Sequence, residues 1–401
     1  MSDYVNQVIK LAPLPTEHRL SGEEAERWEK NWHHHKQVWG EMLQQNADRM
    51  KKGSYSLYWM KTDGVDWGRR AKPSARGLTY QDVSRLPSDG AIPEQVVFRN
   101  FAPRGSIREP YADRMPVIEE YDVLTRDDVW SDNVVALYEE AKARQWNATR
   151  DIAWSELKPL PEDLEKAMCQ LCTFLTEAEF VAGDFPARWV YRIPQDFLEV
   201  KAFLATQMVD EARHLEVFRK RALAGGGLLH AGPAFEWAIK AILESPTHAM
   251  GTFLLNSLAE GLVLSMFRFG EVVARTHVDK DIFRLAMQDE ARHVSYGVLQ
   301  LKNYLDGSRT EAEKAKRIED LHRFADLGEQ IILTAFSEAQ LLEPLAILLG
   351  GGIEKIDHGM DGVAKMWEVF MSEYLQRCKR SGFDRTARCK MPLVFPWKGA
   401  A

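Results

Sequence analysis

One pentapeptide occurs twice in this chain of 401 residues, as Asp210-Glu211-Ala212-Arg213-His214 and as Asp289-Glu290-Ala291-Arg292-His293. Each copy falls late in a run of helical periodicity, QMVDEARHLEVF and AMQDEARHVSYG. Residues three apart on a helix share a face, so each copy presents a carboxylate and an imidazole side by side. Burying such a face is costly unless its charges are paired or bound to a metal. Two copies on otherwise apolar helices point to a duplicated helix hairpin whose two E-x-x-H faces converge on two ions. The competing reading is a pair of internally salt-bridged helices with no metal.

The two-ion reading demands one further glutamate from the helix preceding each copy, roughly 30 residues upstream across a hairpin. Glu260, the lone acid of FLLNSLAEGLVLSMF, stands 30 residues before Glu290. Ahead of Glu211, the segment LCTFLTEAEFVAGDF offers Glu177 and Glu179, at 34 and 32 residues. Residues two apart face different sides of a helix, so only one can be a ligand. Glu179 is favoured because the aromatic and small residues after it leave room for ions; Glu177 remains the alternative. The candidate ligands are therefore Glu179, Glu211, His214, Glu260, Glu290 and His293. This oxygen-rich set suits two iron ions, or a manganese and iron pair, better than zinc. Asp210 and Asp289 can accept the spare N–H of a ligand histidine, and Arg213 and Arg292 offset surplus negative charge.

The rest of the chain predicts an all-α protein. Helical patterns cover 127–145, 162–184, 195–224, 247–277, 279–306, 310–342 and 362–381, with no alternating strand among them. Pro161, Pro194 and Pro246 stand where helices begin, and Gly225-Gly226-Gly227 and Gly307 where helices stop. Three parts are expected: an irregular N-terminal extension with one helix (1–125), the helical bundle (126–309), and C-terminal helices with a basic tail (310–401). Prolines 73, 87, 93, 103 and 110 keep the extension from forming a long helix. Within it, His33-His34-His35 reads as a surface cluster, because consecutive helical residues diverge by about 100°. Cys169 and Cys172 form a lone C-x-x-C on one helix face, read as structural for want of a second pair. Formal net charge is -7, which disfavours a nucleic-acid partner. No run of about 18 apolar residues is expected to span a membrane. The N-terminus has no secretory pattern, and the expected compartment is the cytoplasm.

With these residues in hand, Glu162 to Tyr304 resembles the ferritin-like di-iron carboxylate superfamily, whose paired D-E-x-R-H is specific. The resemblance is to its oxygen-activating branch: hydroxylase subunits of soluble methane and toluene monooxygenases, arylamine N-oxygenases, R2-like oxidases and the small subunit of ribonucleotide reductase. It implies a ferritin-like four-helix bundle and a di-iron oxygenase that oxidises a small organic substrate with O2. A separate electron-donor reductase is expected because no flavin or nicotinamide fingerprint is visible, and a homodimer because the flanking segments can build a dimer face. Phe218 stands where the radical-storing reductase subunit has a tyrosine, which disfavours that role. Ala286 stands where arylamine N-oxygenases have a third histidine. A ferroxidase-type or non-catalytic di-metal protein is the alternative. Phe180, Phe203, Phe218, Leu264 and Met266 are candidate walls for a substrate pocket.

Overall fold

The computed structural model describes residues 124–395 continuously, together with 70–83 and a broken set of positions between 26 and 60. Most of the expected N-terminal extension, His34 and His35 included, lies outside the described residues. The described positions from 26 to 51 are helical, and Tyr80–Val83 forms a single turn. The chain separates into two compact units with the division near residue 123. The elements below belong to the second.

Its order is α1 (Arg126–Val129), α2 (Val134–Ala143), α3 (Glu162–Val190), α4 (Leu198–Gly225), α5 (Pro233–Leu243), α6 (His248–Val273), α7 (His277–Asp306), α8 (Glu311–Ser337), α9 (Ala339–Gly350) and α10 (Ile356–Arg380). The ends follow local chemistry. Helix α3 starts after Pro161 with Glu162, Asp163 and Glu165 in its first turn, where acids complement the helix dipole. Thr276 and Thr310 cap α7 and α8, each hydroxyl accepting a backbone N–H from Asp279 or Glu313. Helix α9 ends at Gly351 with φ of 83°, a left-handed position that a glycine adopts without strain.

The body is all-α, as the periodicity predicts, and its centre is two long hairpins, α3 with α4 and α6 with α7, meeting across α4 and α7. Several features differ from the sequence reading, the first being that the expected helix 127–145 is two, α1 and α2, with residues 130–133 between them. Helix α3 runs through Pro186 to Val190, because Phe185 and Trp189 pack on the His248 ring and hold its last turn in place. Helix α5 was not anticipated: it is short, 11 residues opened by Pro233, and falls in the interval left between the expected helices 195–224 and 247–277. The expected single helix 310–342 is two helices bent by 64°. The bend falls at Glu338, whose backbone is extended and whose carboxylate accepts the Phe235 N–H near the start of α5.

Contrary to expectation, α6 is long and apolar enough to cross a membrane. Yet 83% of its most apolar window is buried inside the protein. It is the core helix of the bundle, and its segment Phe253–Ala259 is wound as a π-helix directly before Glu260. Gly297 of α7 lets that wider segment approach: a Cβ there would lie 2.6 Å from the Asn256 Cβ. Arg377 of α10 donates from Nε to the Ser257 carbonyl at 2.9 Å, so a carbonyl in the π turn finds a partner.

Candidate metal centre

Helices α3, α4, α6 and α7 bring the six residues singled out from sequence into one buried group. Ligand atoms of Glu179, Glu211, His214 and Glu290 lie within 4.8 Å of one another, and so do those of Glu211, Glu260, Glu290 and His293. Glu179 belongs to the group, whereas Glu177, two residues away, is not in it and is only partly buried. The two sets share Glu211 and Glu290. His214 Nδ1 is 3.2 Å from both Glu211 and Glu290 and 3.8 Å from Glu179. His293 Nδ1 is 2.9 Å from Glu211, 3.4 Å from Glu290 and 3.7 Å from Glu260. Each end of the centre thus has its own glutamate and histidine, and the motif glutamates lie between them, positioned to hold two metal ions.

The neighbouring aspartates act across the duplication rather than within each copy. Asp289 lies 3.2 Å from His214 Nε2, and Asp210 lies 3.3 Å from His293 Nε2. Each can accept that Nε2–H, which fixes the tautomer and leaves Nδ1 facing the carboxylates. Arg292 bridges Asp210 at 2.8 Å and Asp289 at 2.6 Å, while Arg213 reaches Asp289 at 2.7 Å and also bonds Asp210. Two residues of this layer escaped the sequence reading. Trp146 donates its indole N–H to Asp289 at 2.7 Å, and Gln145 accepts from Arg213 at 2.7 Å. Both follow the last turn of α2, where nothing local marks them.

Gln207 and Asn256 were also missed. Gln207 donates to Glu260 Oε1 at 3.0 Å, and Asn256 to Glu260 Oε2 at 2.8 Å. A signal existed for Asn256, four residues before Glu260 on an apolar helix. On the α6 side lies a narrow cavity of about 60 Å³, walled by apolar side chains from α3, α5, α6, α8 and α9 that include Phe174, Ile239, Leu258, Met266 and Ile332. Among the described residues its polar walls are Glu179, Glu260 and Glu290. Of the five wall residues suggested by sequence, Met266 alone lines it. Phe180 is 62% exposed, Leu264 points elsewhere, Phe203 packs on Tyr296, and Phe218 packs with Phe267 and Phe283.

No family model matches the chain, and no curated protein matches it. Among solved structures, similar chains are variants of an R2-like ligand-binding oxidase. One with an anaerobically reconstituted Mn/Fe cofactor is 19% identical and covers 64% of this chain and 95% of its own, with a TM-score of 0.48. Another with an aerobically reconstituted Fe/Fe cofactor is 18% identical and covers 70% of this chain and 100% of its own, with a TM-score of 0.46.

The donor set fits two ions, and its own unpartnered atoms are the sign of it. Glu179 Oε1, Glu211 Oε1, both Glu290 oxygens and His293 Nδ1 are fully buried and make no aligned hydrogen bond, the His293 Nδ1 and Glu211 Oε1 atoms lying 2.9 Å apart without the geometry of one. Such orphans are expensive in a protein interior, and an ion between them would satisfy them together. Proton affinities carry the same message. Burial, reinforced by Glu211 and Glu290, lifts Glu179 well above the usual carboxylate range, and burial with Glu290 and Glu211 does the same to Glu260. Burial opposes the charge on Glu211, but His293 and His214 more than offset it and hold that carboxyl low. Burial likewise opposes charge on both imidazoles, yet the surrounding carboxylates raise them well above the ordinary histidine value. Without metal the group therefore balances its acids with protons, in positions that cations can take over.

Proposed function

We propose that this chain is a non-haem di-iron oxidoreductase that uses O2 to oxidise an uncharged, apolar organic substrate, by hydroxylation, N-oxygenation or desaturation. Glu179 and His214 would hold one ion, Glu260 and His293 the other, with Glu211 and Glu290 shared; a manganese and iron pair suits the same donors. Bound and reduced, the ion pair supplies the electrons that activate dioxygen. The chain's own contribution is positional. Asp289 and Asp210 keep the imidazole Nδ1 atoms facing inward, and Arg213 and Arg292 neutralise those aspartates.

The observation that carries the reading is the apolar cavity whose polar walls, among the described residues, are three carboxylates of the centre. A route for hydrated iron would need polar walls, so this cavity favours an organic substrate over a ferroxidase cycle. Among the described residues its lining contains no lysine, arginine or histidine. A charged substrate group would therefore find no counter-ion there, and the part of the substrate beside the metals is apolar. Electrons would come from a separate reductase, since no dinucleotide-binding fingerprint occurs in the sequence. A cytoplasmic homodimer, with 1–125 and 310–401 as segments flanking the 126–309 bundle, completes the proposal.

The test is anaerobic reconstitution with Fe(II), metal analysis, and rapid mixing with oxygen while absorbance is followed. About two irons per chain, and a visible transient whose decay accelerates with an apolar substrate, are the expected results. Failure to retain iron after reconstitution overturns the di-iron assignment. Catalytic oxidation of many Fe(II) equivalents, with no organic product, would favour the ferroxidase alternative.

A further inference from the structure

We infer that the two ion positions are inequivalent, and that Gln207 and Asn256 make them so by fixing Glu260 in place for the tighter ion. The inference rests on the di-metal reading above and adds an order of filling to it. Both oxygens of Glu260 accept an amide N–H, from Gln207 on α4 and from Asn256 in the π segment of α6. The two donors approach from different helices, so the carboxylate is held against rotation about its terminal torsion and against swinging away from His293. Glu179, the counterpart at the other end, has no such support: its Oε1 is buried without a partner. Four residues separate Asn256 from Glu260, whereas the equivalent spacing before Glu179 gives Leu175. The duplication that made the two E-x-x-H faces alike thus did not extend to the supporting amides.

A ligand already held in its binding orientation loses less freedom when the ion arrives. Partners of this kind contribute about 10- to 100-fold in metal affinity. The Glu260–His293 position therefore fills first and releases its ion last. The Glu179–His214 position, whose glutamate must still be ordered, fills second and exchanges faster. Gln207 and Asn256 are positioning residues: they act through Glu260.

The experiment is anaerobic titration of the metal-free full chain with Mn(II), following free ion by its electron paramagnetic resonance signal and fold by circular dichroism. Wild type is expected to bind two ions in resolved steps. In Asn256→Ala and in Gln207→Leu, the tighter step weakens by about 10- to 100-fold while the weaker step stays where it was. In Glu179→Ala the weaker ion is lost and the tighter one retained; in Glu260→Ala the tighter step goes. Two ions bound with one affinity, or amide variants that leave both steps unmoved, would overturn the inference while leaving the di-metal centre standing. No Mn(II) and no Fe(II) bound by folded wild type would instead remove the di-metal reading itself. The two amide variants sit on different helices, so misfolding of one leaves the other as a test.

Discussion

At the scale of single residues, the choice between Glu177 and Glu179 shows what a helix position decides. Two residues on one turn differ by about 200° in direction, and only Glu179 points into the buried group. Glu179→Ala should lower iron retention from about two ions to about one per chain, and Glu177→Ala should leave retention unchanged, by metal analysis. The protonation pattern gives a second expectation. His214, His293, Glu179 and Glu260 have folded pKa values raised above their unfolded ones. Their contribution to the metal-free fold is fully present below the unfolded values, about 6.5 for histidine and about 4.3 for glutamate, and is lost as pH rises through the raised folded values. Glu211, Asp210 and Asp289 are depressed, so theirs is present above about pH 4 and lost as pH falls through the depressed values. Metal uptake needs the unprotonated donors and so releases protons. The gap in melting temperature between Mn(II)-loaded and metal-free protein should widen between about pH 6 and about pH 8. A gap that narrows over that range would contradict the assignment of these groups as ligands.

At the scale of elements, α6 concentrates the local departures from a regular helix. Its π segment places Asn256 and Glu260 for their contact, and two glycines on neighbouring helices make room for it. The Gly297 position on α7 faces the Asn256 Cβ, an atom fixed to the backbone that cannot swing aside. Gly297→Ala should therefore destabilise the fold by about 1–3 kcal/mol by overpacking and weaken Mn(II) binding as the Asn256 variant does, measured by denaturant unfolding and titration. A Cβ at Gly328 on α8 would press on the side-chain ends of Leu254 and Leu258 and touch the Phe253 ring, and Gly328 lines the cavity. Those ends can shift, so Gly328→Ala should leave metal content unchanged. It should alter the binding of apolar probe ligands, followed by calorimetry.

At the scale of the whole molecule, the C-terminal tail is tied to the wall of the cavity. Arg385, fully buried, donates to Glu329 at 3.0 and 2.9 Å, to Asp326 at 2.6 Å and to the His322 carbonyl at 3.1 Å. Glu329 also accepts from the Tyr374 hydroxyl at 2.7 Å and the Lys390 N–H. Trp367 donates to the Pro392 carbonyl, and Phe395 packs against Phe336 and Trp367. This network fixes α8, whose Gly328, Ile331, Ile332 and Ala335 line the cavity. Arg385→Met would leave Glu329 buried without its cation. Loss of about 3–5 kcal/mol in denaturant unfolding is expected, where an exposed ion pair would give about 1 kcal/mol or less.

The sequence by itself determined the helical class and the long helices, because a 3.6-residue period and proline, glycine and threonine boundaries are local signals. The duplicated pentapeptide likewise announced two carboxylate and imidazole faces, and its spacing to Glu260 named a hairpin partner. What only the tertiary structure decided depends on contacts between segments distant in the chain. That the aspartates serve the opposite histidine follows from how α4 and α7 face each other. The roles of Trp146 and Gln207 arise from side chains 143 and 53 positions away from their partners. The cavity walls come from six helices at once, one of which, α5, is a short helix in the interval where no helix was expected. Periodicity says which way a residue faces on its own helix; what it faces is set by the packing of the others.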